Sequence, residues 1–577
     1  MSIEQTAAYE TSAHTALPKQ AMRARLWSRV GNVIGVPLWV PCVGFLAWLA
    51  TFILVWRAGA FRSYGDALSH ELIARRVLDS LNPGLAQLGT VWLPLPPLLL
   101  APLVAFDPLW RLGIAGALLG ALYLQLTLGA LYRFGRQLGG TTVGALAVVA
   151  FLANPNTLYL FVVPLTEAAA LTFACLCSTA LAETVNGFKN DELRLGALLR
   201  TSVWAAAALL CRYDSWLFAF LVGVVLLVAG LLWLRDWEKI EAAALFYAVI
   251  PIAAMALWFF YNWAIFGDPL AFQHGLYSSS AIVHDLATRG IIPTIAGQPP
   301  EEGNPLRAAT TYGQAVLENS GIESLVLAVV GLIVALVSLR RRQAALALIP
   351  LLAPFVFYII ALSQAQSVIV TRTANPNGIF NIRYGSTLAP CIALGIAALV
   401  LPLERKRWYV VVPLGVTVVL AGILLLAAPG GPVTVAEGTL QTRAITASAA
   451  QEAAHWLTLQ PPGGLILLDD ALQPQAQTIV TYGDRPLRRY ITSSNPAEWA
   501  AALNQPSPDV TWIVTLGPTS RDRPNDRVGK ALLLPGDTIV RYTKVFDNSE
   551  IMIFRRDNMA SNPIPHPTAS QVLTVAP

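Results

Sequence analysis

The segment 64–84 combines acidic, imidazole and guanidinium side chains at spacings that could support acid–base chemistry on an anionic substrate. Asp66, His70, Arg75 and Arg76 lie among apolar residues that recur at helical spacing, and an Asn-Pro-Gly sequence then ends the pattern. A carboxylate can take a proton from an attacking group, and guanidinium groups bind phosphate through paired hydrogen bonds. The segment therefore predicts an amphipathic helix whose polar face carries these groups.

Each of these side chains also has a structural interpretation that the sequence leaves open. Asp66 follows Gly65 at the start of the helix, where an aspartate cap is worth about 1 kcal/mol. Arg75 and Arg76 could meet lipid headgroups, and His70 could simply be a polar-face residue. A catalytic role for Asp66 and substrate-binding roles for the other three are therefore hypotheses.

A second set of ionisable residues lies where apolar runs begin or end. Glu167 opens one run, Arg212 and Asp214 flank a tyrosine between two others, and Arg383 and Tyr384 open a fourth. Charges at the level of a bilayer normally face a wet cavity or one another. We expect these residues to line a polar cavity on the same side of the membrane as the amphipathic helix. Mutual pairing for structure alone is the alternative.

The composition places these residues in a polytopic membrane protein. The chain has 577 residues, of which 55% are hydrophobic and only 13% are charged, against about 25% charged residues in soluble domains. Its mean hydropathy is positive, at +0.56. Apolar runs long enough to cross a hydrocarbon core of about 30 Å predict about eleven transmembrane helices, at 33–56, 109–132, 142–163, 165–183, 195–211, 214–234, 242–264, 321–339, 343–361, 384–402 and 408–428.

The basic residues predict the orientation of these helices. Lysine and arginine collect in cytoplasmic loops, and the lysines that precede the soluble part all fall on one side of an eleven-helix alternation: Lys19, Lys189, Lys239 and Lys406. We therefore expect a multi-pass protein of the cell membrane with a cytoplasmic N-terminus. The C-terminal part is then extracytoplasmic, and the amphipathic helix lies on the outer membrane surface.

Composition also predicts the domain boundaries. Residues 1–30 form a cytoplasmic tail, 31–428 a transmembrane domain with its first outer loop at 57–108, and 429–557 a small extracytoplasmic α/β domain. The tail 558–577 is expected to be disordered. In the α/β domain, apolar runs predict strands at 464–468, 478–482, 510–516, 538–546 and 550–555, and cap signals predict helices at 447–459 and from residue 496.

In their order along the chain, these motifs resemble those of GT-C fold glycosyltransferases, the nearest types being protein O-mannosyltransferases and lipid A aminoarabinose transferases. The Gly65-Asp66 pair after the first apolar run is followed by short matching sequences at 91–96, 164–167, 212–216, 266–270 and 381–385. The resemblance covers about 30–430. It implies a sugar donor on a polyprenyl phosphate, used from the outer leaflet of the membrane.

The resemblance also implies roles for individual residues. Asp66 maps onto the loop carboxylate that acts as general base, and Arg75, Arg76 and Arg383 map onto the cations that bind the lipid phosphate. The predicted substrate-binding set is His70, Arg75, Arg76, Glu167, Arg212, Asp214, Arg383 and Tyr384. The chain lacks the glutamate that follows the aspartate in mannosyltransferases, and it lacks the Trp-Trp-Asp sequence of oligosaccharyltransferases, which disfavours N-glycosylation.

The predicted activity is inverting transfer of a hexose or pentose to an acceptor hydroxyl, with no cofactor and no metal ion. The outer membrane loops contain no Asp-x-Asp sequence, and the dispersed basic residues argue against nucleic-acid binding. The expected partners are the lipid-linked donor and membrane lipid, and the acceptor can be a glycan, a lipid or a protein. A transporter or a flippase for lipid-linked glycans is the alternative, although the internal repeats typical of carriers are missing from the sequence.

Overall fold

The computed structural model describes residues 35–275, 278–339, 342–403, 408–445, 448–470 and 474–557. The predicted tails 1–30 and 558–577 lie outside the described residues. In the membrane part the α-helices are α1 (Trp39–Arg57), α2 (Gly65–Arg76), α3 (Leu95–Val104), α4 (Asp107–Leu112), α5 (Ala115–Gly139), α6 (Thr141–Leu152), α7 (Pro155–Leu160), α8 (Thr166–Phe188), α9 (Leu195–Leu209), α10 (Asp214–Trp233), α11 (Trp237–Phe266), α12 (Ala271–His274), α13 (Ser279–Thr288), α14 (Pro305–Ser320), α15 (Ile322–Val337), α16 (Ala353–Ser363), α17 (Ala389–Ala398) and α18 (Trp408–Ala427). Short 3-10 helices cover Leu85–Leu88, Gln343–Leu352 and Ile382–Leu388.

These helices confirm a polytopic membrane fold. All eleven apolar runs coincide with helices, and by length and composition seven helices among the described residues can cross a membrane, or up to eight if a bent pair counts as one span. The four runs that do not reach this length alone correspond to α6, α9, α15 and the helical segment Ile382–Ala398. The sequence therefore located the helices correctly but overestimated how many have spanning length.

Local breaks in the chain explain two of the short helices. Asn154 caps α7 by accepting a hydrogen bond from the Thr157 N–H, and Pro155 occupies the first position of α7, so the run 142–163 divides there. Gly321 adopts a φ of 77°, which L-residues rarely reach, and α14 meets α15 there at a bend of 108°. Both breaks lie beside the polar junction described below.

The C-terminal part is a small α/β domain. Its helices are α19 (Val433–Ile445), α20 (Ser448–Thr458), α21 (Pro474–Tyr482), α22 (Pro496–Asn504) and α23 (Arg527–Leu532), and its strands are β1 (Leu465–Leu467), β2 (Tyr490–Ile491), β3 (Val510–Leu516), β4 (Tyr542–Asp547) and β5 (Ile551–Arg556). The five strands form one sheet in the order β2-β1-β3-β5-β4. Strand β1 is parallel to β2 and β3, whereas β5 is antiparallel to β3 and β4.

Most of the predicted elements of this domain are present, with one error of type. The strand predicted at 478–482 is instead the end of helix α21, because Pro474 starts a helix and the buried Ala476, Ile479 and Val480 recur at helical spacing. The short strand β2 was not predicted. Two residues are too few to give a periodic signal.

Helix α2 joins the membrane part to this domain. Leu68 and Leu72 are buried in the same apolar cluster as Trp456 and Ile479 of the C-terminal domain. The expectation that α2 lies on the membrane surface is therefore wrong for its apolar face, since the C-terminal domain and α3 cover that face instead. Helix α2 is amphipathic as predicted, but its apolar face packs against other parts of the protein.

A buried side-chain amide holds several segments together where the membrane part meets the C-terminal domain. The Asn319 Nδ2 donates to the carbonyl oxygens of Ala315 at 2.8 Å and Ile382 at 2.7 Å. Its Oδ1 accepts from the hydroxyl groups of Ser386 at 2.8 Å and Thr434 at 2.7 Å. One side chain thus connects α14, the 3-10 helix Ile382–Leu388 and α19.

We predict that Asn319→Ala lowers the apparent melting temperature of the purified protein. Each buried partner left without a hydrogen bond costs about 1–3 kcal/mol. This substitution removes the acceptor of at least the Ser386 and Thr434 hydroxyl groups. The matched control is Asn377→Ala, which removes an exposed amide. Equal melting temperatures for the two variants would contradict the role of the junction.

Candidate active site

The Arg383 guanidinium lies at the centre of a buried cluster of charged residues. Its Nη2 bonds to the Asp66 carboxylate. Its Nε lies 3.1 Å from Glu167 Oε1, and its Nη1 lies 3.3 Å from Glu437 Oε1. The Arg383 side chain is only 2% exposed. One cation is therefore shared by carboxylates from α2, α8 and α19.

Arg212 extends the cluster from the other side of Glu167. Its Nη1 lies 3.0 Å from Glu167 Oε1, and its Nε lies 3.1 Å from Asp214 Oδ2. The same guanidinium donates to Thr166 Oγ1 at 2.9 Å and to the Tyr358 hydroxyl at 2.5 Å. Glu167 therefore bridges two arginines, so the ionisable residues predicted at helix ends do converge.

Aromatic rings support both guanidinium groups. The Tyr384 ring centroid lies 5.0 Å from the Cζ atoms of both Arg212 and Arg383. The Tyr64 ring lies 4.8 Å from the Arg383 Cζ, and Tyr384 stacks on Tyr358 with 4.9 Å between centroids. Cation–π contacts hold a guanidinium in a fixed orientation while leaving its N–H groups directed at oxygen acceptors.

Asp66 is the most exposed carboxylate of the cluster. Its side chain is 35% exposed, whereas Glu167 is 1% and Glu437 is 0% exposed. Tyr64, and not Asp66, occupies the N-cap position of α2, and the Asp66 carboxylate binds Arg383. The cap interpretation of Asp66 therefore does not hold in the structure, and this carboxylate is the part of the cluster that is most open to solvent.

His70 lies one turn further along α2 and is buried. Its ring contacts Trp92 edge-on, with 4.4 Å between ring centroids, and its Nδ1 has no hydrogen-bond partner among the described residues. Burial lowers the pKa of His70 to about 4, against the opposing effect of Asp66 and Glu167. A neutral imidazole suits a hydroxyl partner and is not a cation for phosphate.

Glu437 is the member of the cluster that the sequence did not reveal. Its carboxylate accepts the backbone N–H groups of Asn381 at 2.5 Å and Arg383 at 3.3 Å, in addition to the contact with the Arg383 side chain. Burial raises the pKa of Glu437 to about 7 despite these contacts. The sequence signal that could have revealed Glu437 is a lone acidic residue in the apolar sequence after the last span. That sequence is assigned to the soluble domain in the sequence analysis.

Arg75 and Arg76 do not join the cluster. Arg75 donates to the Val104 carbonyl oxygen at 2.6 Å and binds Asp107 at 2.5 Å, so it ties α2 to α3 and α4. Arg76 forms an ion pair with Asp470 of the C-terminal domain. Their predicted contact with the lipid phosphate stays a prediction, and in the structure both arginines connect α2 to its neighbours.

A small cavity borders the buried end of the cluster. It has a volume of about 30 Å³, and Glu167, Arg212 and Asp214 form its polar wall. The remaining walls are mostly apolar side chains of α8 and α10 and of the helices that follow residue 343. This volume holds about one or two water molecules, so the cavity is too small for a molecule the size of a sugar.

We predict that Arg383→Gln lowers the apparent melting temperature, and that the deficit shrinks as the pH falls. Removing the cation leaves the buried Glu437 without its guanidinium partner and Glu167 with Arg212 alone, and breaking a buried ion pair costs about 3–5 kcal/mol. Without it, the folded-state pKa of Glu437 lies still further above its unfolded value, so this group takes up a proton on acidification and relieves the penalty. Arg383→Lys, which keeps the charge, serves as the control. A deficit that does not change with pH would contradict this account.

Comparison with known proteins identifies the fold. No family model matches this chain, and no curated protein matches it in sequence. Among solved structures, ArnT from Cupriavidus metallidurans bound to undecaprenyl phosphate superposes with a TM-score of 0.50 at 14% sequence identity, covering 91% of this chain and 99% of that one. An Archaeoglobus fulgidus oligosaccharyltransferase tethered with an acceptor peptide gives a TM-score of 0.47 at 13% identity, covering 83% and 69% of the two chains.

The similarity to ArnT extends over nearly the whole length of both chains. At this level of sequence identity it concerns the fold. The GT-C fold expected from the sequence motifs is thereby confirmed, and this chain is a polytopic membrane protein with the fold of ArnT.

Proposed function

We propose that this protein is an integral membrane glycosyltransferase that moves a sugar from a polyprenyl-phosphate donor to an acceptor hydroxyl on the extracytoplasmic face. The observation that carries the proposal is the contact between the partly exposed Asp66 and the buried Arg383. In this proposal Asp66 is the base for the acceptor, and Arg383 beside it is a cation for the phosphate. The solved ArnT structure has undecaprenyl phosphate bound to it, which supports a lipid phosphate as the donor group.

The ion pair between Asp66 and Arg383 links the availability of Asp66 as a base to the binding of the donor. While Arg383 holds the Asp66 carboxylate, the guanidinium occupies the oxygen that would accept the proton. A donor phosphate competes for the same N–H groups, because guanidinium binds phosphate and carboxylate with similar geometry. Donor binding therefore frees Asp66 to accept a proton.

In the transfer step, the acceptor hydroxyl loses its proton to Asp66 as its oxygen attacks the anomeric carbon. The bond between that carbon and the phosphate oxygen breaks, and the electron pair leaves with the polyprenyl phosphate. Arg383 stabilises the charge that develops on the departing oxygen. Arg212 assists because it shares the Glu167 carboxylate with Arg383. A single displacement inverts the anomeric centre.

His70 completes the site on the α2 side. Its imidazole is neutral at physiological pH and its Nδ1 lacks a partner in the part of the chain that the structure describes, so we assign it to a hydroxyl group of the donor sugar. The Trp92 ring beside it offers an apolar face to the sugar. The role of His70 is therefore orientation of the sugar and not binding of the phosphate.

We predict that Asp66→Asn lowers transfer by about 10²–10⁴-fold, because the amide cannot accept the acceptor proton. The assay follows release of polyprenyl phosphate from a panel of polyprenyl-phosphate sugars by the purified protein in lipid vesicles. Transfer or donor hydrolysis indicates a glycosyltransferase, and movement of the intact donor across the membrane indicates a flippase.

The matched control is Asp107→Asn, which alters a carboxylate of the same loop that is 59% exposed and lies outside the cluster. Both variants must retain the wild-type melting temperature. Full activity in a folded Asp66→Asn protein would exclude Asp66 as the base.

A further inference from the structure

We propose that Glu437 is a positioning residue that takes up one proton when the donor phosphate binds Arg383. This inference rests on the proposed function, since it describes how the same site receives its donor. In the absence of donor, ionised Glu437 helps to hold the Arg383 guanidinium. When phosphate arrives, protonation of Glu437 releases that hold and removes a negative charge from beside the ligand.

The charge balance of the cluster requires such an adjustment. Four carboxyl groups share two guanidinium groups, since Asp66, Glu167 and Glu437 contact Arg383 while Glu167 and Asp214 contact Arg212. With every carboxyl ionised the cluster has a surplus of negative charge. A phosphodiester adds another negative charge in a largely buried setting, where uncompensated charge is costly. A proton taken up by one carboxyl group restores the balance.

The contacts select Glu437 among the four. Glu167 binds two guanidinium groups at 3.0 and 3.1 Å, and Asp214 binds Arg212 at 3.1 Å. Within the described ranges Glu437 has one guanidinium neighbour, at the longer distance of 3.3 Å, and no exposed surface. Among the four carboxyl groups, Glu437 is therefore the most deeply buried and has the longest ion-pair contact, beside its backbone hydrogen bonds from Asn381 and Arg383.

The charged and titratable groups that face Glu437 come from several segments. They are Arg383, Asp66, Tyr64 and Tyr159. The Tyr64 hydroxyl lies 3.4 Å from Glu437 Oε2. Burial raises the pKa of Glu437 to about 7, with the Asp66 charge acting in the same direction and Arg383 opposing.

Donor binding replaces part of the Arg383 interaction with a phosphate charge, so it raises the pKa of Glu437 further. Below about pH 7 Glu437 is already protonated in the free protein, and the affinity is independent of pH. Above that value binding requires proton uptake, so the affinity falls as the pH rises.

The test measures binding of polyprenyl methyl phosphate to the full-length protein in lipid nanodiscs. This probe is a sugar-free phosphodiester with one charge that does not titrate. We expect the wild-type affinity to be constant below about pH 7 and to fall by up to about tenfold per pH unit above it. Calorimetry in two buffers of different ionisation heat should count uptake of nearly one proton at alkaline pH.

In Glu437→Gln the affinity should not change with pH and the proton count should fall to zero, whereas Glu437→Asp should keep a slope. Glu318→Gln is the matched control, since Glu318 accepts the Arg372 N–H outside the cluster, and it should behave as wild type. Wild-type binding without proton uptake, or an unchanged slope in Glu437→Gln, overturns the inference and leaves the proposed function standing. Failure of the wild-type protein to bind the probe at any pH overturns both.

Discussion

The structure depends on the sharing of one buried guanidinium among carboxylates that come from distant parts of the chain. Arg383 contacts Asp66 in the segment after the first membrane helix, Glu167 at the start of another membrane helix and Glu437 after helix α18. A buried cation is tolerated only when its N–H groups are satisfied. The loop, the membrane core and the C-terminal domain therefore all contribute to meeting one electrostatic requirement.

In the proposed mechanism, the same sharing lets a stable cluster take part in the reaction. An arginine whose N–H groups all bind one carboxylate holds that carboxylate tightly. An arginine whose N–H groups bind three carboxylates can exchange one of them for a phosphate at small cost in free energy. The exposed member, Asp66, is the one that an incoming ligand displaces most easily, because solvent already reaches it. The buried Glu167 keeps Arg383 in place during the exchange, and Tyr384 and Tyr64 restrict the orientation of its plane.

Much of this arrangement could be predicted from the sequence, and the exceptions have physical reasons. Charges at the ends of apolar runs are costly in a membrane, and the predicted alternation of helices puts these residues on the same side as Asp66. Their convergence near Asp66 was therefore expected. Glu437 escaped notice because a single acidic residue after the last span looks like the start of a soluble domain, and its burial depends on tertiary packing alone. Arg75 and Arg76 have the residue type for phosphate, but their partners Asp107 and Asp470 lie in segments whose position relative to α2 no local pattern specifies. The lengths of the membrane helices depend on breaks such as Asn154-Pro155. Such a break lies within an apolar run, so the apolar composition of the run does not predict it.

The sequence separation of these contacts has a consequence for biosynthesis. Arg383 and Asp66 are 317 positions apart, and the partners in the Arg76–Asp470 pair are 394 apart. A nascent chain therefore inserts its early helices and completes α2 long before the residues that assemble the charged cluster have been translated. Domains generally fold as they emerge from the ribosome, but here the carboxylate of Asp66 has no guanidinium partner until about two thirds of the polypeptide has been synthesised. A prematurely terminated chain thus reaches the membrane with Asp66 in place and without the guanidinium that holds it.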